Sequence, residues 1–435
     1  MSDTIFALSS GIGRAGVAVV RVSGPAASIV AGSVSGKSLT PRRALLTELR
    51  NKGTGEVIDH GLLLWFPGPA SFTGEDVVEF HIHGGRAVVG ALLDCLGEFE
   101  GLRAAGPGEF TRRAFQNGKL DLTSAEGLSD LVAADTELQR RQALKQLSGE
   151  VPRIAQSWRQ RLVDSQALIE AHLDFPDENE IPVDITREIE SDLAELGCCF
   201  RDALAGRRKT EIVRDGGIVL IAGAPNSGKS TLINRIASRD VAIISEIPGT
   251  TRDLLEITID LCGLPVTFID SAGIREASDA IEKLGITRTR EKVKEAHIVL
   301  WLSANDAAPA EPDLLHPNVW TVKTKSDLLS AEMTDSGISA LTGEGVADLL
   351  IKVYDDLAST HATGEPSLLV SRRQFASVIA ARDAVWRGIE RLRSGQLELV
   401  AEELRVASSY LDEMIGVIRN DELLDEVFSR FCLGK

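Results

Sequence analysis

The 435 residues carry 47 Lys+Arg against 64 Asp+Glu, a net charge of −17, with 43% hydrophobic and 26% charged residues. These values exclude a disordered, collagen-like or disulfide-stapled chain and a wholly basic nucleic-acid coat, while leaving room for a local basic patch or a basic partner. At roughly 150 residues per domain the length predicts about three domains.

No run approaches the ~18 apolar residues that span a bilayer. The opening MSDTIFALSS lacks a basic region followed by an apolar one, so a soluble cytoplasmic protein is expected. Cys95, Cys198, Cys199, Cys262 and Cys432 are scattered without C-x-x-C spacing. That predicts reduced thiols and no structural zinc, with Cys198 and Cys199 packing within a helix.

Gly16–Val22 reads as a buried strand. Gly61–Phe66 is another, stopped by Pro67-Gly-Pro69, and Val77–His83 alternates in strand fashion before Gly84-Gly85. Arg86 to Leu96 then reads as a helix, so residues 1 to about 118 predict an α+β domain. From about residue 119 the period changes to that of helices. Ile154, Trp158, Leu162, Ser165 and Ile169 share one face, as do Ile189, Leu193, Leu196, Phe200 and Leu204. Leu397, Val400, Leu404, Ala407, Leu411 and Met414 repeat the pattern near the end. Residues 365–435 have no strand pattern of their own, so they are expected to pack with 119–210 as one helical domain. The segment near 212–360 is then an insertion into it.

Ile218–Ala222 is a short apolar strand running into Gly223-Ala-Pro-Asn-Ser-Gly-Lys-Ser230 and a helical pattern, Thr231 to Ala237. G-x-x-x-x-G-K-S in that setting is a phosphate-binding loop, its N–H groups turned inward at a helix N-terminus. Asn226, Ser227, Gly228 and Thr231 belong to that cradle, Lys229 reaches the β- and γ-phosphates, and Ser230 ligates Mg²⁺. Gly249-Thr-Thr-Arg-Asp253 offers Thr251 to the same ion. Val266–Asp270 delivers Asp270 near the metal, and the following Ser271-Ala272-Gly273 turns an N–H toward the γ-phosphate. Where G proteins carry N-K-x-D, this chain has Thr324-Lys325-Ser326-Asp327. Asp327 reads the guanine edge, but the usual asparagine is threonine. Ser339 and Ala340, in Gly337–Ala340, present backbone to the guanine oxygen. Together these elements favour GTP over ATP. After Gly273, where Ras-like proteins carry a water-orienting glutamine, stands Ile274. Another group must orient the water, and spacing does not choose among the carboxylates of 275–282.

With these motifs stand Arg14–Gly16, Val20–Gly24, Trp65–Pro69, Phe72–Asp76, His83–Gly85, Pro107–Phe110, Lys119–Leu122, Asp174–Glu178, Asp270–Glu276 and the terminal Phe431-Cys-Leu-Gly-Lys435. In combination they resemble the bacterial tRNA-modification GTPase family MnmE (TrmE) over essentially the whole chain. The resemblance implies a multidomain α/β + α fold. Residues 1–118 would be an α+β folate-binding and dimerisation domain. Residues 119–211 and 363–435 would be a helical domain, interrupted by a Ras-like P-loop GTPase domain at 212–362. It implies a homodimer working with the flavin-dependent partner MnmG. Together they would use a 5-formyl- or 5,10-methylene-tetrahydrofolate unit to place an aminomethyl or carboxymethylaminomethyl group on C5 of the tRNA wobble uridine. It implies a K⁺ ion held by Asn226, Ser245, Ile247 and Thr250, within the loop that also contains Glu246, Pro248 and Gly249. It puts the water-orienting acid on Glu282, folate contacts on Arg21, Glu79, Lys119 and Lys435, and a functional thiol on Cys432. A ribosome-assembly GTPase and a folate-responsive nucleotide-binding scaffold are the alternatives.

Overall fold

The computed structural model describes residues 3–174, 184–238, 242–243, 256–270, 294–305, 316–328, 337–359, 368–417, 421–429, 431 and 434. Ser245, Glu246, Ile247, Pro248, Gly249, Thr250, Thr251, Ser271, Ala272, Gly273, Ile274, Glu282, Cys432 and Lys435 therefore lie outside the described residues. The chain forms two compact units. The first comprises Met1–Ser129, Leu147–Gln160 and Ser408–Lys435, and the second Asp130–Gln146 and Arg161–Ala407.

In the first unit, β1 (Thr4–Leu8), β2 (Ala15–Ser23), β3 (Leu45–Arg50), β4 (Val57–Phe66), β5 (Val77–Gly84) and β6 (Leu102–Ala104) form one sheet. Its order is β3-β4-β5-β2-β1-β6, antiparallel except for the β1–β6 pair. The alternation predicted for 77–83 sends Val78, Phe80 and Ile82 into the core, while Glu79 and His81 take the other face. Helices α1 (Ala27–Ser35) and α2 (Arg86–Gly97) supply Val30, Val34, Leu92 and Leu96 to the same core. Along the chain follow α3 (Glu109–Gln116), wholly in the first unit, then α4 (Leu122–Ala133), α5 (Glu137–Leu147) and α6 (Glu150–Asp174), of which α5 falls in the second unit but for Leu147 and α4 and α6 are divided between the two. Near the C-terminus, Leu424, Phe428 and Phe431 pack on Phe115, Leu122 and Ala125. The tail then reaches β1, where Ser9 Oγ donates to the Gly434 carbonyl at 2.8 Å. Gly434 has φ +89°, and a Cβ there would collide with the Leu8 carbonyl, so this docking requires glycine.

The second unit carries a second six-stranded sheet. Its strands are β7 (Gly217–Gly223), β8 (Ala242–Ile243), β9 (Glu256–Leu261), β10 (Leu264–Asp270), β11 (Ile298–Ala304) and β12 (Val319–Thr324). The order is β12-β11-β7-β10-β9-β8, with β12, β11, β7 and β10 parallel. A parallel strand flanked on both faces reads as a continuous apolar run, and β7 is one. Val219 and Ile221 join the core containing Phe268, Leu300 and Ile233, while Leu220 and Ala222 join one containing Ile269, Val299 and Trp301.

Helices α7 (Asp184–Leu204), α8 (Arg207–Asp215) and α9 (Lys229–Ala237) precede α10 (Val346–Ser359), α11 (Arg372–Arg393), α12 (Leu397–Ile415) and α13 (Asp421–Ser429). The predicted faces are buried at Trp158, Leu162, Ser165 and Ile169, at Ile189, Leu193, Leu196 and Phe200, and at Val400, Leu404, Ala407, Leu411 and Met414. Helices α7 and α11 pack together although β7–β12 lie between them in sequence. Glu190 and Arg393 pair across them at 2.8 Å. Cys198 and Cys199 are half-buried in α7.

Candidate functional site

The loop between β7 and α9 turns on three special backbones. Gly223 has φ +148°, and a Cβ there would lie 2.5 Å from the Leu302 carbonyl, so only glycine lets β7 end beside β11. Asn226 and Gly228 adopt positive φ, and Gly228 opens α9. That conformation aims the first N–H groups of α9 at the space above the loop, where an anion is favoured. Lys229 Nζ donates to the Gly223 and Ala224 carbonyls at 3.1 and 2.9 Å, so its charge lies across the same space. Ser227 is buried, and its Oγ has no hydrogen-bond partner within the described residues. That hydroxyl lies on the sheet side of the loop, where a Cβ on Gly223 would meet it at 2.9 Å, so it is the α9 N-terminus and Lys229 that fit a phosphate group. Asn226, Ser230 and Thr231 are exposed at the rim.

Strand β10 runs parallel to β7 and ends at Asp270, which is 2% exposed. Ser230 Oγ donates to Asp270 Oδ2 at 3.0 Å. A hydroxyl and a buried carboxylate in contact at a phosphate loop suit a hard divalent ion such as Mg²⁺.

Strand β12 ends at Thr324, whose departure from asparagine leaves a firm contact. Its buried Oγ1 donates to the Ser227 carbonyl at 2.8 Å, tying the base-reading segment to the phosphate loop. Lys325 follows with φ +61°. Asp327 is exposed, and its Oδ1 accepts the Ser339 hydroxyl at 2.6 Å. The segment bearing Ser339 and Ala340 is held by an Ile338 N–H donating to Lys323 O at 2.8 Å and a Ser326 N–H donating to Ile338 O at 3.2 Å. Asn226 to Thr231, Asp270, Thr324 to Asp327 and Ser339 to Ala340 thus gather at the carboxyl ends of β7, β10 and β12, the edge where open α/β sheets bind ligands. The Thr324–Ser227 tie was invisible in the sequence, because the partners are 97 residues apart.

In the first unit, Arg21 and Glu79 stand directly opposite one another on β2 and β5. Arg21 Nη2 and Nε donate to Glu79 Oε1 at 2.8 and 3.2 Å, and His81 Nε2 lies 3.3 Å from Oε2. The guanidinium also lies over Phe72 and Phe110, 5.3 and 5.8 Å from the ring centres. Arg21 and Glu79, both folate contacts on the family resemblance, are therefore partners of one another. Lys119 is exposed, and its Nζ donates to Pro69 O at 2.9 Å.

The same unit has a cleft of about 640 Å³ lined by Asp3, Glu75, Arg103, Glu109, Arg113 and Asn117, none of them anticipated as functional. Arg113 is buried and bonds Glu75 at 3.0 Å, Asp3 at 2.7 Å and Glu109 at 3.2 Å. Burial pushes the Glu109 carboxyl up, but Arg103, the Gly106 N–H and Arg113 outweigh it and hold it below the ordinary range. Each arginine there has a carboxylate partner, so the cleft is an ion-pair network joining Asp3 before β1, β6, the 67–76 segment and α3.

The model of the family described as "GTP-binding protein TrmE N-terminus" matches residues 4–119, and that of "MnmE helical domain" matches residues 122–432. The chain is 46% identical to the tRNA modification GTPase MnmE of Rhodopseudomonas palustris (strain ATCC BAA-98 / CGA009), over 100% of this chain and 99% of that one. It is likewise 46% identical to proteins of that name from Beijerinckia indica, covering 100% of this chain and 96% of that one, and Brucella anthropi, covering 100% and 99%. A solved structure of a point variant of Aquifex aeolicus Era bound to GDP.AlF4- matches 39% of this chain and 66% of that one at 25% identity and a TM-score of 0.25, an overlap too small to argue from. With the two family matches running from residue 4 to 432 and relatives aligned end to end, the chain belongs to the MnmE (TrmE) family.

Proposed function

We propose that this protein is a GTP hydrolase of tRNA modification, acting at C5 of the wobble uridine as a homodimer with the flavin-dependent partner MnmG. The observation that carries the GTPase reading is the junction of the phosphate loop, the Ser230–Asp270 pair and the Thr324–Asp327–Ser339 segment on one sheet edge. On this reading Lys229 and the loop N–H groups hold the phosphates, and Asp327 with the Ser339–Ala340 backbone selects guanine. Ser230 and Thr251 hold Mg²⁺, while Asn226, Ser245, Ile247 and Thr250 hold K⁺. Both ions, when bound, neutralise charge that develops on the phosphates. Glu282 orients the attacking water, the duty that Ile274 cannot perform.

Arg21, Glu79, Lys119 and Lys435 form the proposed tetrahydrofolate site. Docking of Gly434 beside β1, the strand paired with the one bearing Arg21, supports a site in that domain. Because Arg21 and Glu79 bond one another, the ligand would exchange contacts with this pair. Residues 1–118, 119–211 with 363–435, and 212–362 are the proposed domains. Packing of α7 on α11 across the intervening strands supports the insertion. No helix among the described residues is long and apolar enough to cross a membrane, and the cytoplasm is the proposed compartment.

The test is GTP hydrolysis by the purified protein in KCl against matched NaCl, with ATP as control. Strong K⁺ stimulation restricted to GTP is expected. Equal rates in both salts would remove the K⁺ assignment, and equal use of ATP would remove the guanine assignment.

A further inference from the structure

Position 324 departs from the residue that G proteins carry there, and its surroundings show what the departure does. The Thr324 side chain is 1% exposed, and its Oγ1 lies 2.8 Å from the Ser227 carbonyl oxygen. A carbonyl oxygen only accepts, so the hydroxyl is the donor, and a hydroxyl has one proton to give. What remains on Oγ1 is lone pairs. Guanine N7 is itself an acceptor, and two acceptors form no hydrogen bond. An asparagine side chain has two N–H groups besides its oxygen, so it could brace the loop and donate to N7 at the same time. Threonine keeps the brace and gives up the donor.

The Watson–Crick edge is served differently. Asp327 is exposed, and its Oδ1 holds the Ser339 hydroxyl at 2.6 Å. A carboxylate has about four lone-pair sites, so this contact orients it while leaving capacity for the N1–H and 2-amino groups of guanine. Bridging of Thr324 with Ile338 fixes the segment carrying Ser339 and Ala340 against the same carboxylate.

We infer that this site recognises guanine through its Watson–Crick edge alone, without a contact from position 324 to N7, so that 7-deazaguanine nucleotides are bound as well as guanine ones. The inference deepens the GTP reading above and rests on it.

The experiment titrates the full-length protein with GDP, 7-deaza-GDP, IDP and ADP in competition against a fluorescent guanine nucleotide. The dissociation constants of GDP and 7-deaza-GDP are expected to agree within about twofold, because replacing N7 by C–H removes no hydrogen bond. IDP, which lacks the 2-amino group, is expected to bind more weakly by roughly tenfold or more, the worth of a hydrogen bond to a charged acceptor. Thr324→Asn should create a preference for GDP over 7-deaza-GDP of about fivefold, whereas Thr324→Ser should keep the wild-type ratio. A loss of about fivefold on 7-deaza-GDP in the wild-type protein would overturn the inference, and that comparison needs no variant to fold. An unchanged ratio in a folded Thr324→Asn protein would also count against position 324 as the determinant. If ADP competes as well as GDP, the guanine reading itself fails, a result separable from failure at N7 alone.

Discussion

At the edge of the second unit's sheet, Lys229 at the start of α9 bonds the carbonyl of Gly223, six residues before it; in the sheet of the first unit, Arg21 bonds Glu79, 58 residues after it. Both contacts immobilise a cation, but they are built by different means. The first is closed inside one loop, whose shape comes from the positive φ values of Gly223, Asn226 and Gly228. The second exists because the antiparallel register of β2 and β5 puts two side chains opposite each other. A loop-built site takes its shape from its own backbone, with two carbonyls of the same loop accepting from the Lys229 ammonium. A register-built site has its charges satisfied by one another, so a ligand must compete with an existing ion pair.

The largest effects should come from breaking the loop-built site. Lys229→Ala is expected to lower GTP hydrolysis by about 10²–10³-fold, as for removal of a preorganised donor at a transferring phosphate. Single-turnover kinetics measure it, and a fall below about tenfold would move the phosphates away from this loop. If Glu282 has the proposed water-orienting role, Glu282→Ala is expected to lower hydrolysis by about 10²-fold while sparing nucleotide affinity, because such an acid acts on the water. Equal losses of affinity and rate would reassign Glu282 to binding.

The register-built side should break through its most buried cation. Arg113 joins α3 to Glu75, Asp3 and Glu109. Burial disfavours its charge, yet the carboxylates around it raise its pKa. Removing one partner of such a network leaves buried charges unpaired. Arg113→Ala should therefore destabilise the first unit by about 3 kcal/mol in urea unfolding, with GDP affinity of the folded protein unchanged. A loss under about 0.5 kcal/mol would mean that solvent replaces the guanidinium freely.

This contrast also explains which features could be read from the residues alone. The phosphate loop was legible because its chemistry is compressed into eight consecutive residues, Gly223 to Ser230, between an apolar strand and a helix. The longer strands β2, β4 and β5 and the faces of α6, α7 and α12 were legible because their periods are clear. Strands β1 and β6 were not, since five and three residues give too short a pattern. Neither was the Arg113 network, whose partners Glu75 and Asp3 lie 38 and 110 residues away. Thr324 looked like a weakened motif only because residue type was visible and its partner was not. Arg21 and Glu79 came from the family resemblance alone, and their pairing depends on register, which alternation does not fix.

The smallest predicted effect concerns how the second sheet holds its central strand as pH changes. His297 stands just before β11, and its Nδ1 accepts the Ile218 N–H at 3.1 Å while its backbone N–H donates to Ile218 O at 2.8 Å. An accepting Nδ1 requires the ring to carry its proton on Nε2 when neutral. Burial lowers the His297 pKa below the ordinary histidine value, and the charge of Arg208 adds to the effect against Glu211 and Asp215. The unfolded chain therefore takes up this proton at a higher pH than the folded one. Stability from His297 is complete above the ordinary histidine pKa of about 6.5, falls as pH drops through that value, and levels off below the lowered folded pKa. His297→Asn removes the titration and leaves a side-chain oxygen able to accept from Ile218. Thermal unfolding of the two proteins from about pH 8 to 5.5 should show the wild type losing more Tm than the variant, with the divergence beginning near about pH 6.5. Parallel curves would mean that the ring protonates in the folded protein as readily as in the unfolded chain. The β7–β11 contact beneath the phosphate loop would then be indifferent to pH.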